Sequence, residues 1–434
     1  MPLETTVAVR GPHAQPRPPA VLLGGTANTV SVARSLCGAG VEVYALGHAG
    51  SPVRHSRACA HFVDLGREDG VQERWRRWLA EHPRGGAVVL PCDDDALEMV
   101  VTHRAMLVEL GYRVFEADDA VVLDMLDKSR TYELARELGV PAPRTGTVRT
   151  AADVDAVAGE LAYPCALKPV HSHRFQRRSG TGVKAFVVED AAQLRERFAY
   201  TSKLGVEMLI TEIIPGPDSG IVGLHAFLDE KGLPLLAVTK RKLRQHPLGF
   251  GLGCYHETTH DPEARRLGLA FLRGAGVRGL ANVEFKRDER DGRLKLIECN
   301  HRFTAPTDQL RIAGVDVALF TYNRLAGLPA PPVAEYRTGV RLWHPGQDFR
   351  AFLALRRRGE LTTAAWLRSV ARPQHLPLLT WDDPGPAVAA QMHRAGRILR
   401  RRLAGGHRTA AERREPEAPA PALPDPAVAV AHCR

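Results

Sequence analysis

Two short runs of this chain carry carboxylates in a pattern that could hold a cation. The first is Asn282-Val283-Glu284-Phe285-Lys286 and the second is Leu294-Lys295-Leu296-Ile297-Glu298-Cys299-Asn300-His301-Arg302, with Arg290-Asp291-Gly292 between them. Asp-Gly flanked by alternating apolar residues is a strong hairpin signal, so the runs are expected to pair antiparallel with Glu284 facing Glu298. Side chains repeat with period two along a strand, which puts Glu298, Asn300 and Arg302 on one side and Ile297 and Cys299 on the other. Facing carboxylates repel unless a cation separates them, and hard oxygen donors suit Mg²⁺ or Mn²⁺, above all where phosphates complete the octahedron. A solvated hairpin with scattered charges is the competing reading, and the hairpin alone does not choose between them.

Lysine usage adds to the first reading. Of 59 basic residues nine are lysine, and all nine lie between Lys128 and Lys295. Where arginine serves as the general surface cation, a retained lysine points to a need for a compact, flexible ammonium such as phosphates attract. Chance clustering is the alternative.

The elements that must position these groups follow from periodicity. Ala20 to Gly25 reads as a buried strand, Val30 to Leu36 as a helix stopped by Gly38 and Gly40, and Val41 to Leu46 as a second strand, making a βαβ unit. It lacks a full GxGxxG and an acid closing the second strand, which disfavours dinucleotide binding. Ala87 to Pro91 is a further parallel strand, and Asp93-Asp94-Asp95 caps a helix expected from Ala96 to Leu110. Leu126-Asp127-Lys128-Ser129-Arg130 opens another helix that ends at Gly139. Tyr163 to Pro169 is a strand with Lys168 near its end, and Lys168 on an apolar strand has little reason to be lysine without a ligand. The segment His171 to Lys184 is dense in His, Arg and small residues; it is expected to be a flexible connection that folds over phosphates, or a plain mobile tip. Glu207 to Pro215-Gly216 is a buried strand, and two more strands run from Ile221 to Leu228 and from Leu235 to Thr239, the latter into the basic cluster Lys240-Arg241-Lys242-Leu243-Arg244.

Length and composition set the frame. A chain of 434 residues has about three domains as its prior. No apolar run approaches the roughly 20 residues that span a bilayer, so a membrane protein is not expected. The first 19 residues have no apolar signal-peptide core, and seven cysteines without CxxC spacing fit reduced thiols; cytoplasmic residence is the expectation. The net charge of +10 would fit nucleic acid, but from Arg394 to Arg434 nine arginines stand against four acids, so about half of the excess sits in one Pro- and Ala-rich tail that reads as disordered. A nucleic-acid function is not implied.

The order of parts is recognisable: Asp-Lys opening a helix, a strand ending Leu-Lys-Pro, a connecting segment, Glu-x-x-x-Pro-Gly, a basic strand end, then Glu284 and the Glu-x-Asn-x-Arg hairpin. Over about residues 20 to 330 this resembles the ATP-grasp superfamily, in its branch of carboxylate-amine ligases and carbamoyl-phosphate-synthase-like domains. The resemblance implies an α/β fold: a Rossmann-like pre-ATP-grasp domain over residues 20–125, a two-lobed ATP-grasp domain over 126–330 and an accessory region over 331–404, between disordered ends at 1–19 and 405–434. The accessory region would pack beside the substrate site or form a homodimer contact.

Roles follow position by position from the resemblance. Lys128 and Lys168 would touch the phosphates of ATP, with Lys184 at the end of a phosphate lid. Glu212, Ile213 and Ile214 would form the hinge that reads adenine, and Asp218 would lie near the ribose. Glu284, Glu298 and Asn300 would bind magnesium or manganese. Arg302 would steady an acyl phosphate, with Lys240, Arg241 and Arg244 on the γ-phosphate and the carboxylate substrate. The implied activity joins a small-molecule carboxylate to an amine, amino acids among the candidates, with release of ADP and phosphate. Phosphorylation of a hydroxyl and non-catalytic nucleotide binding are the rival functions.

Overall fold

The computed structural model describes residues 17–115, 117–159, 162–333 and 335–405. The protein is an α/β molecule built on three sheets. The termini that the sequence reads as disordered lie almost wholly outside the described residues.

The first sheet is parallel, in the order β3-β2-β1-β4, from β1 (Ala20–Leu23), β2 (Val43–Gly47), β3 (His61–Asp64) and β4 (Val88–Pro91). β1 and β4 are buried throughout, as parallel strands covered on both faces by helices must be. Because β1 has β2 on one side and β4 on the other, the crevice beyond their carboxyl ends is a topological switch point, where open α/β sheets place ligands. The helix expected from Ala96 to Leu110 is two helices, Asp94–Thr102 and Arg104–Glu109, parted at His103, whose ψ of 22° is not helical. Three successive poor helix formers, Val100, Val101 and Thr102, precede the break.

The second sheet is antiparallel, in the order β5-β8-β6-β7: β5 (Thr145–Val148), β6 (Cys165–Pro169), β7 (Phe186–Val188) and β8 (Met208–Glu212). The third has six antiparallel strands in the order β13-β12-β9-β10-β11-β14: β9 (Ile221–Leu228), β10 (Pro234–His246), β11 (Leu252–Thr259), β12 (Gly279–Arg287), β13 (Leu294–Asn300) and β14 (Arg341–Trp343). One face of this sheet carries Leu224, Ala226, Val283 and Phe285 and buries them under the helix Pro262–Gly274, whose Leu267 and Phe271 fill the same core. The other face divides in two. Phe227, Leu236, Val238 and Leu280 join the core of the first sheet, whereas Glu284, Lys240 and Lys242 form a buried charged end.

β14 and the helices Pro345–Arg357 and Thr363–Val370 complete the third sheet's far edge. Their anchor is Asp348, fully buried, which accepts from Arg244 Nε at 2.6 Å and Nη2 at 3.1 Å and from Trp366 Nε1 at 3.0 Å. Removing one partner of such a pair leaves a buried charge without compensation, so Asp348→Ala is expected to cost about 3–5 kcal/mol, read as a lower urea midpoint.

Candidate active site

The site begins with three lysines, on a helix, on a strand and on the connection before a strand. Asp127 caps the helix Lys128–Glu137, accepting from the backbone N–H groups of Ser129 at 2.8 Å and Arg130 at 3.0 Å, and so fixes Lys128 at the helix start, where its Nζ donates to Ser172 Oγ at 2.9 Å. Lys168 projects from β6 with its ammonium 5.1 Å from the centre of the Phe250 ring. Burial, reinforced by the nearby Lys128 charge, lowers the Lys168 pKa to about 8 while Glu298 opposes the shift. Lys184, just before β7, is likewise lowered by burial with Glu298 opposing. Asp94, Lys128, Ser172, His173, Glu298 and Asn300 line one cavity, so groups from four separate elements converge.

The expected hairpin forms, with a bulge between Glu284 and Phe285 that sets the register of the two carboxylates. Glu284 is directly opposite Glu298, and Asn282 opposite Asn300, in the antiparallel pairing of β12 with β13. The Glu284 carboxylate is held by two ammonium groups, Lys240 Nζ at 3.0 Å from Oε1 and Lys242 Nζ at 2.7 Å from Oε2. Burial alone would raise its pKa, but Lys242 and Lys240 hold it well below the usual carboxylate range. Glu298 has no ion pair of its own among the described residues, and it interacts at longer range with Lys168, Lys184, Lys240, Lys242 and Arg302.

Two of the expected basic residues face away. Arg241 sits between Lys240 and Lys242, and period-two alternation turns it to the opposite face, where it binds Glu257 at 2.7 Å. Arg244 follows a β-bulge between Lys242 and Arg244 that shifts the strand's phase; it pairs with Asp348 beside the C-terminal helices. Both therefore lie away from Glu284, and it is Lys242 that shares the Glu284 face with Lys240. Stepping by two from Lys240 would have found it.

The segment His171 to Lys184 also departs from expectation. Ser172–Ser179 is a helix, tied to the helix Asp94–Thr102 by ion pairs of Arg177 with Asp95 and Arg174 with Glu98, and by His173 Nε2 at 3.1 Å from Glu98. These long-range charges convert an apparently flexible stretch into a strap; only residues 180 to 185 connect it to β7 without regular structure.

The residues expected to form the hinge lie at the end of β8, Glu212 within it and Ile213 and Ile214 just after it. Glu212 pairs with Arg290, Ile213 is half-buried and the carbonyl of the buried Ile214 accepts from Lys286 Nζ at 2.8 Å. Asp218 lies under the turn after β10, accepting from Gln245 Nε2 at 2.8 Å and from the Gly249 backbone N–H; burial raises its pKa. Arg302 is gripped at both ends of its guanidinium by Asp94, Nε to Oδ1 at 2.5 Å and Nη2 to Oδ2 at 3.1 Å. Burial would push the Asp94 carboxyl up, yet Arg302 brings it to about 2. The helix cap expected of the Asp93-Asp94-Asp95 run belongs to Asp93, which accepts from Ala96 N–H at 2.9 Å and from Gly25 N–H at 2.8 Å. Gly24 must be glycine here, since its φ is +65° and a Cβ would lie 2.0 Å from Asp93 Oδ2.

No protein-family model matches the chain. It is 28% identical over 296 residues to the D-aspartate ligase of Enterococcus faecium, an alignment that covers 63% of this chain and 67% of that one. It is 24% identical over 188 residues to the D-alanine--D-alanine ligase of Stutzerimonas stutzeri, covering 40% of this chain and 54% of the relative. Among solved structures, the biotin carboxylase domain of Hydrogenobacter thermophilus 2-oxoglutarate carboxylase superposes with a TM-score of 0.59 at 19% identity, over 75% of this chain and 73% of that domain. The chain belongs to the ATP-grasp superfamily. The oxygen donors available in the cleft, the carboxylates of Glu284 and Glu298 and the Asn300 amide, fit a hard divalent cation, which would share Glu284 with Lys240 and Lys242.

Proposed function

We propose that this ATP-grasp protein is an ADP-forming ligase that joins a carboxylate to an amine. The reading rests on one observation above the others: Lys128 and Glu298 line one cavity, Lys168 and Lys184 lie within electrostatic reach of Glu298, and Glu298 faces Glu284 across the hairpin. Such a site accepts a polyphosphate with its counter-cation.

Lys168 and Lys184, both partly buried, and Lys128 at its helix start neutralise the phosphates and hold the γ-phosphoryl group for in-line attack. The backbone at Ile213 and Ile214 would meet the base, and Asp218 would meet the ribose. Magnesium, held by Glu298, Asn300 and Glu284, would supply further charge neutralisation at the phosphate oxygens. A carboxylate oxygen takes the γ-phosphoryl group and ADP departs. The amine nitrogen then attacks the carbonyl carbon, loses a proton, and the C–O bond to phosphate breaks. Arg302, oriented by Asp94, stabilises the oxyanion and the departing phosphate, while Lys240 and Lys242 supply positive charge for the carboxylate substrate. The D-aspartate and D-alanine ligases among its relatives favour an amino acid as one of the two substrates.

The test is phosphate and ADP release by purified protein with ATP and Mg²⁺ against pools of amino acids and small carboxylates, with the ligated product identified by mass. Equal amounts of ADP and phosphate, formed only when both substrates are present, are expected. ADP without free phosphate, together with a stable phosphorylated product, would make the protein a kinase; nucleotide binding without turnover in any pool would make it a binding module.

A further inference from the structure

The C-terminal helix Gly385–Gly405 presents an apolar strip to solvent. Pro386 and Ala389 are buried, on the side by which the helix lies against the turn Pro52–His55. Val388 is 55% and Met392 70% exposed, and Ala395 is exposed one turn further on. Positions 388, 392 and 395 share one helical face, and the same spacing continues in the sequence at Leu399 and Leu403. Before the helix, Leu379 is half-exposed and Trp381 is fully exposed.

The charge here has one sign. Among the described residues Asp382 is the last exposed acid. Between Asp383 and Glu412 the sequence carries Arg394, Arg397, Arg400, Arg401, Arg402 and Arg408 and no Asp or Glu. An occupant of this face must cover an apolar strip and be negatively charged. A second copy of the helix would cover the strip but add a second net positive charge to the first and leave both unanswered. A nucleic acid would answer the charge but leave Val388, Met392 and Trp381 in water. The surface of an anionic bilayer answers both: the boundary of the acyl region takes the apolar strip, the headgroups take the guanidinium groups, and tryptophan is at home at that depth.

We infer that the helix Gly385–Gly405, with Trp381, docks the protein on the surface of an anionic lipid bilayer. The association is peripheral: among the described residues no helix is long and apolar enough to cross a membrane. It therefore stands beside the composition argument against a membrane-spanning chain, and it does not depend on the ligase reading.

Cosedimentation of the full chain with vesicles tests it, using phosphatidylglycerol and phosphatidylcholine in equal parts against phosphatidylcholine alone. Binding to the anionic vesicles only, weakened by added salt, is expected. Each surface arginine adds about fivefold to such a partition, so Arg400→Glu with Arg401→Glu should lower it at least about tenfold. Met392→Asp should lower it too, with nucleotide binding unchanged in both variants as the check on folding. No sedimentation, or equal sedimentation with neutral vesicles, overturns the inference. So does binding to duplex DNA without binding to vesicles, or a dimer that Met392→Asp dissociates and that ignores lipid.

Discussion

Glu298→Gln is expected to lower ATP turnover by about three orders of magnitude while the protein stays folded. The side chain keeps its volume and one carbonyl oxygen but loses the negative charge that faces Lys168 and Lys184. A hard cation bound through that carboxylate contributes several kcal/mol to stabilising charge on transferring phosphate, and about 4 kcal/mol is about a thousandfold in rate. The change also removes the group that raises the two lysine pKa values, so both ammonium groups become easier to deprotonate. Measured at saturating substrate, the loss should lie in kcat, and Mg²⁺ should no longer strengthen nucleotide binding to the variant. Turnover within tenfold of the parent would remove Glu298 from the proposed site.

Arg302→Met should cost about 10²–10³ in kcat, the loss seen when one preorganised donor to a developing oxyanion is removed. Asp94 acts through Arg302, so its own substitution separates orientation from charge. Asp94→Asn keeps an acceptor for Nε but leaves Nη2 without its carboxylate partner. A fall of about tenfold in kcat is expected, with KM for ATP changed less than about twofold, because a misaligned guanidinium weakens the transition state more than the bound nucleotide. In the double variant the effects should not add: with Arg302 gone, Asp94 has nothing left to position. Full additivity would show that Asp94 acts separately, and a large rise in KM for ATP would make it a structural residue of the cleft.

Much of this site is legible in the chain itself. Asp291-Gly292 and the alternation on either side dictate the hairpin, but the register running back from the turn would set Glu284 against Ile297, and a bulge at Glu284–Phe285 is what brings Glu284 opposite Glu298. Lys168 stands out as a charge on an otherwise buried strand, and Asp127 marks the helix that fixes Lys128. The cluster from Lys240 to Arg244 was harder to read. Alternation separates Lys240 and Lys242 from Arg241, but a bulge, which has no sequence mark of its own here, reverses the expectation for Arg244. The stretch from Ser172 to Ser179 is polar and its helicity depends on Asp95 and Glu98 as partners. An isolated helix of eight such residues would not persist in water.

What the sequence by itself determined was therefore the local geometry: the hairpin, the strands and helix starts that carry single functional residues, and the order in which they occur. These depend on backbone periodicity, turn chemistry and capping, which act over a few residues. Tertiary structure decided which of those residues meet. Arg302 and Asp94 are 208 positions apart, Arg244 and Asp348 are 104 apart, and Arg174 and Glu98 are 76 apart. Nothing in either partner's neighbourhood names the other, because such pairs form only when packing of the three sheets brings their bearers into contact and burial makes an unpaired charge costly.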